Sequence, residues 1–288
     1  MEREVAWKKY DEASLDELEA LAVDYIDFIS ENKTERECAA AAIAAAEDAG
    51  YDSLADCIAA GTPVGPGSKL WACAQGKAVI LVHVGAAPIS EGMNILGAHI
   101  DSPRLDIKQN PLYETNDFAL LDTHYYGGIK KYQWVTIPLE LHGVVALKSG
   151  ETVEVTIGRE PGEPRFVITD LLPHLAADQM KKTMAEGISG EGLNILIGST
   201  PYADEGKDRV KLAVMSLLND MYGITEEDFL SAELVAVPAY DVTEIGLDRS
   251  MIGAYGHDDR VCAYAELKAI FDVEDPEKTS VCILADKE

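Results

Sequence analysis

Residues 95–101 read Ile-Leu-Gly-Ala-His99-Ile-Asp101, an apolar run that ends on an imidazole and a carboxylate two positions apart. Such an apolar run reads as a buried strand. With the helices and hairpin that precede it, the run suggests the start of an α/β domain, in which working residues gather at the carboxyl ends of strands. On an extended chain residues i and i+2 share a side, so His99 and Asp101 point the same way. A metal-ligating histidine needs an acceptor on its second ring nitrogen, and a carboxylate at this spacing can fix its tautomer and orientation. A satisfied core histidine at a strand end has the same local pattern, so the pair alone leaves both readings open.

The flanking sequence supplies the rest of an α/β layer. Ser14-Leu-Asp-Glu17 has the form of a capping box ahead of Leu18, Leu21, Ala22, Tyr25, Ile26 and Ile29 at helical spacing. Thr34-Glu-Arg-Glu37 repeats the device before the alanines of residues 39–46, with Gly50 as the left-handed stop. The Gly/Pro stretch 61–67 leads into strand patterns at 70–74 and 78–84 around Gln75-Gly76. After Asp101 the texture changes to short β-type runs at 139–145, 152–157 and 165–169, with one amphipathic helix expected from Glu205 to Tyr222. Apolar strand patterning follows at 232–237, a helix at 259–271 and a strand at 281–285. These patterns predict an α/β domain formed by residues 1–105 and 241–288, interrupted by a mainly β insertion over 106–240.

With 288 residues, 47% of them hydrophobic, the chain can bury a substantial core. Its 51 acidic against 24 basic side chains give a net charge of -27. Such a surface repels phosphate backbones and anionic lipid heads, so nucleic acid and membranes are set aside as partners. Small molecules, peptides and proteins remain. Cys38, Cys57, Cys73, Cys262 and Cys282 are odd in number and scattered, which suits the thiols of a cytoplasmic protein better than a disulfide framework. The charged start Met1-Glu-Arg-Glu has no apolar signal core, and no stretch approaches the roughly 18 apolar residues of a membrane span.

Two further features bear on chemistry. Gly256-His-Asp258-Asp259-Arg260 opens the last helical pattern, where one acidic residue would serve as an N-cap. Two adjacent aspartates exceed that need, and Asp258, lying ahead of the helix, is the better candidate to turn its oxygens to a cation. The strand 281–285 runs on into Asp286-Lys-Glu288, and Glu288 is a candidate general base, although a terminal residue is ordinarily frayed. A central strand with no covering helix behind it is an unusual end for such a sheet, so the sequence is expected to be cut through a domain. His99, Asp258 and Glu288 are too few to close a metal site. There is no phosphate-binding Gly-x-x-x-x-Gly-Lys loop, dinucleotide Gly-x-Gly-x-x-Gly or nucleophile elbow. Gly127-Gly128-Ile-Lys130-Lys131 reads as a turn or a substrate-lining segment, and Tyr125, Tyr126, Tyr132 and Trp134 read first as core.

Taken together, Gly97-Ala-His99-Ile-Asp101-Ser-Pro103-Arg104-Leu105, Tyr126-Gly127-Gly128-Ile129, Leu172-Pro173-His174-Leu175-Ala176, Asp258-Asp259-Arg260 and Asp286-Lys287-Glu288 resemble, in order, the M18 metalloaminopeptidases, the aspartyl aminopeptidase group. The resemblance implies a zinc-dependent exopeptidase with two metals per active site, manganese or cobalt being alternatives, and a catalytic α/β domain interrupted by a β domain that serves dimerisation. It implies that His99 ligates one metal, Asp101 orients it, Asp258 bridges both and Glu288 activates the attacking water. His174 is implied as a further metal or active-site histidine, ranked below His99. Some relatives carry another histidine four positions later, where this chain has Asp178. The family pattern continues beyond Glu288 with a second Glu and a further Asp and His, all ligands. The chain is therefore expected to be the N-terminal part of such an enzyme, and inactive by itself. The complete protein is expected to remove the N-terminal residue from peptides and to form a homo-oligomer, a dodecamer built of dimers. The alternatives are another co-catalytic zinc amidohydrolase, such as a deacylase or carboxypeptidase, and a non-catalytic assembly module.

Overall fold

The computed structural model of the protein describes residues 3–202 and 206–288. Along the chain the elements are α1 (Glu12–Glu31), α2 (Glu35–Asp48), β1 (Asp52–Ser53), α3 (Leu54–Ala60), β2 (Lys69–Ala74), β3 (Ala78–His83) and β4 (Asn94–His99). There follow β5 (Arg104–Thr115), β6 (Phe118–Tyr126), β7 (Leu139–Ala146), β8 (Thr152–Ile157), α4 (Met184–Gly187), β9 (Ile195–Gly198), α5 (Arg209–Tyr222) and β10 (Ala232–Pro238). Then come β11 (Thr243–Ile245), β12 (Met251–Gly253), α6 (His257–Phe271) and β13 (Ser280–Ala285). The fold is α/β, and the chain divides into two units, Met1–Ser102 with Asp241–Glu288, and Pro103–Tyr240. No helix among the described residues is long and apolar enough to cross a membrane.

The first unit is built on a mixed sheet in the order β1-β2-β3-β13-β4. Gln75 (φ 55°) and Gly76 (φ 70°) join β2 to β3 through two left-handed residues, a turn whose twist matches that of the strands it connects. β13 runs antiparallel to β3 and parallel to β4, with Ala285 opposite His99. Val79, Leu81, Ala98, Cys282 and Leu284 form an apolar core with α2 and α6. From α2 come Cys38, Ala39, Ala42 and Ala46, all fully buried, and small side chains let a helix lie close to a sheet. The capping box of α2 forms as its sequence predicts: Thr34 Oγ1 accepts from the Glu37 N–H at 3.3 Å, and Glu37 Oε2 accepts from the Thr34 N–H at 2.9 Å.

Three expectations need correction here. α1 is capped by Asp11, whose carboxylate accepts from the N–H and hydroxyl of Ser14, so Ser14 lies in the first turn instead of capping it. A carboxylate suits the positive end of a helix better than a hydroxyl does. α3 was not expected, being too short at seven residues for periodicity to reveal; Ser53 caps it and Gly61 (φ 66°) ends it. β4 is a strand but is not buried on both faces, since Ile95 and Leu96 are 53% and 52% exposed. Among the described residues it is the outermost strand of its sheet.

The second unit carries an antiparallel sheet in the order β8-β7-β10-β5-β6-β9. Asn116 (φ 50°) and Asp117 (φ 59°) turn β5 into β6. The expected run at 165–169 makes only isolated bridges, Phe166 with Leu139 and Val167 with Leu196. The expected helix start at Glu205 lies outside the described residues. α5 begins at Arg209, where Glu114 of β5 accepts from the N–H groups of Val210 (2.7 Å) and Lys211 (3.0 Å). Val214 of α5, with Leu121, Leu141 and Phe229, lines an apolar cavity of about 170 Å³. Trp134 is core as expected, whereas Tyr125 and Tyr132 stand exposed. On β7, Glu140 and His142 form a fully buried pair at 3.0 Å.

Candidate metal centre

Parallel pairing of β4 with β13 sets the geometry. Ile100 N–H donates to the Ala285 carbonyl at 2.8 Å, so residues 286–288 leave the sheet at the edge where residues 100–102 leave it. The start of α6 contributes to the same end of the unit.

His99 Nδ1 lies 3.1 Å from Asp101 Oδ1 and 3.1 Å from the Asp101 carbonyl oxygen. Both partners only accept, so Nδ1 carries the hydrogen and the lone pair of the neutral ring sits on Nε2. That nitrogen faces Asp258 Oδ1 across 3.4 Å. Two lone pairs opposed at this distance repel unless a proton or a cation lies between them. Burial pulls the His99 pKa down, but the carbonyl and carboxylate of Asp101, with Asp259 behind them, outweigh it and raise it above the usual histidine value. The surroundings thus favour positive charge beside Nε2. Two donors of one tetrahedral zinc, each at roughly 2.0–2.1 Å, stand about 3.3–3.4 Å apart, so the observed gap fits zinc.

Asp101 is 2% exposed, as befits a group that orients another, while the Asp258 side chain is open to solvent. Asp258 and Asp259 have the non-helical backbone angles usual before a helix, but among the described residues neither carboxylate accepts a hydrogen bond from the backbone of α6, so neither caps it through its side chain. Asp259 instead receives the Cys262 thiol, which raises the pKa of that thiol. His257 is engaged at both nitrogens: Nδ1 accepts from the Tyr25 hydroxyl (2.8 Å) and Nε2 donates to the Ile252 carbonyl (3.0 Å). Burial pushes the Tyr25 phenol up to about 12, keeping it a donor.

His99, Asp101 and Asp258 are therefore brought together. Glu288 is exposed just past β13 at the same sheet edge. His174 is exposed on a turn of the other unit. No group of three or more His, Cys, Asp or Glu side chains placed to hold a metal occurs among the described residues. Sequence reasoning missed Ser102, Arg260 and Glu266. Ser102 Oγ donates to the Asp258 carbonyl at 3.0 Å, and Arg260 Nε donates to the Ile100 carbonyl at 3.0 Å. Glu266, deep in α6, is pushed up to about 7 by burial, against the pull of the Ala98 N–H and the Cys282 thiol. Only the Asp-Asp-Arg sequence hinted at any of these.

The sequence profile of the aminopeptidase I zinc metalloprotease (M18) family matches residues 28–288. A probable M18 family aminopeptidase 1 from Clostridium acetobutylicum is 50% identical over 98% of this chain and 61% of its own length. A crystal structure of an M18-family aminopeptidase from Thermotoga maritima superposes with a TM-score of 0.92 at 43% identity, covering 99% of this chain and 61% of that one. The dodecamer structure of mApe1 from S. cerevesiae, at 18% identity and a TM-score of 0.68, shares the fold over 93% of this chain and 60% of its own. The chain thus spans 61% of the length of the relative it matches at 50% identity. Over that length, profile, relative and structure agree, and the chain belongs to the aminopeptidase I zinc metalloprotease (M18) family.

Proposed function

We propose that the protein is a zinc-dependent aminopeptidase that hydrolyses the N-terminal residue from peptides. The observation that carries this reading is His99, with Nδ1 held by Asp101 and Nε2 facing Asp258 across 3.4 Å, in a chain of this family. His99 and Asp258 would hold the metal, Asp258 being the residue that would be shared between two zinc ions per site; manganese or cobalt could stand in for zinc. Bound zinc polarises the scissile carbonyl and lowers the pKa of water toward neutrality. Asp101 keeps the His99 lone pair on Nε2 throughout. Glu288 takes a proton from the attacking water on its carboxylate and passes it to the leaving amine. His174 is kept as a lesser candidate contributor.

The unit Pro103–Tyr240 is proposed as the surface of self-association. Leu212, Leu217 and Met221 of α5, and Leu230 after it, expose more than half of their area, apolar surface that a partner could cover. A dodecamer of dimers is the assembly proposed, and a cytoplasmic location with it. The function is tested by offering the full-length protein, loaded with zinc, paired peptides with a free or an acetylated α-amine. Cleavage of the first residue from the free peptide alone is expected. Equal cleavage of both would mean an amidohydrolase that does not recognise the amine.

A further inference from the structure

We propose that Arg260 is a positioning residue that fixes the separation of His99 and Asp258, an inference that rests on the metal-centre reading and deepens it. Arg260 is fully buried. Its Nε donates to the Ile100 carbonyl at 3.0 Å and its Nη2 donates to the Lys33 carbonyl at 2.7 Å, and its guanidinium lies over the Tyr255 ring at 5.4 Å. These partners are two main-chain carbonyls and a ring. Burying a guanidinium is costly, and an apolar side chain would fill the space without that cost. What the guanidinium supplies is its fork of donors, aimed at two separate backbones.

The bond to Ile100 has a counterpart. Ser102 Oγ donates back to the Asp258 carbonyl at 3.0 Å, so the side chain of each segment grips the main chain of the other. Residues 100–102 follow His99 directly, and residues 258–260 contain Asp258. A single bond would still let one segment pivot on the other; two crossing bonds fix the relative shift and the twist together. The third anchor, Lys33, ties this clasp to the junction of α1 and α2. Gly256 makes room for it: with φ +88°, a Cβ there would sit 2.2 Å from Arg260 Nη1 and 3.2 Å from Ser102 Oγ. A turn restricted to glycine, a reciprocal pair of hydrogen bonds and a buried guanidinium all converge on the backbone between the two proposed ligands.

The test uses the full-length protein with Ser102→Ala, Arg260→Lys and, as the reference for metal binding, His99→Ala. Cobalt affinity is measured by competition with a coloured chelator, the visible absorption of bound cobalt is recorded, and thermal unfolding is followed without metal. Ser102→Ala and Arg260→Lys are expected to weaken cobalt binding about 10–100-fold, as loss of a group behind a ligand does, and to change the cobalt spectrum. Unfolding of metal-free Ser102→Ala should move little. If Arg260→Lys does not fold, Ser102→Ala alone decides. A Ser102→Ala protein with lowered thermal stability but wild-type cobalt affinity and spectrum would show that the clasp serves only the fold and would overturn the proposal. If His99→Ala binds cobalt as tightly as the unaltered protein, the metal-centre reading itself fails, and the positioning role with it.

Discussion

Glu288 is the residue whose assigned task separates most cleanly from those around it, because proton transfer needs basicity and metal binding does not. Glu288→Gln keeps size and hydrogen bonding while removing the basicity. In the full-length protein kcat should fall about 10²–10⁴-fold with KM little changed and metal content retained. Loss of metal in that variant would make Glu288 a ligand, and unchanged kcat would remove it from the mechanism. His99 and Asp101 were legible in the sequence because their relationship is local, two positions on one strand. Arg260 was not, since its acceptors lie 160 and 227 positions away, and whether an arginine is buried depends on packing that no window of sequence contains. Ser102 escaped for the same reason, its acceptor lying 156 positions on.

At the scale of elements, α6 joins the site to the core, and Glu266 marks where they meet. Burial raises its carboxyl from the ordinary value of 4.5 to about 7, so the folded state holds a proton that the unfolded chain has released. Stability from this group is therefore complete below about pH 4.5 and declines as pH rises to about 7, beyond which it is level. Glu266→Gln should flatten that decline, by about 1–3 kcal/mol between pH 5 and 8. Denaturant unfolding of both proteins across this range measures it, and parallel pH profiles would show that Glu266 is not protonated in the fold. Helix starts were partly legible. The Thr34–Glu37 box needs only four consecutive residues and formed as read, whereas at α1 the Ser14–Glu17 pattern was read as the cap and Asp11, three residues earlier, takes that place. The hairpin of β5 and β6 was hidden because its first strand shifts register between Ile107 and Leu112, which breaks the alternation that reveals a strand.

For the whole molecule, the charge of -27 and the apolar side chains of α5 pull in opposite directions on association. Like charge opposes it at long range, while exposed apolar area favours it at contact. Substituting Leu217→Asp together with Met221→Lys should lower the mass of the full-length protein in light scattering while leaving its circular dichroism unchanged. An unchanged mass would place self-association elsewhere. The strand β4 with His99 at its end was legible from the apolar run; the exposure of Ile95 and Leu96 was not, because it depends on what packs against the strand. The claim on which the rest depends is that His99 binds the metal and Asp101 acts behind it. Zinc per chain, determined by elemental analysis after dialysis of full-length His99→Ala and Asp101→Asn beside the unaltered protein, tests it directly. His99→Ala should lose most of its zinc, while Asp101→Asn should retain the greater part and lose activity about 10–100-fold. Zinc in His99→Ala equal to that of the unaltered protein would contradict the claim and leave His99 a structural histidine.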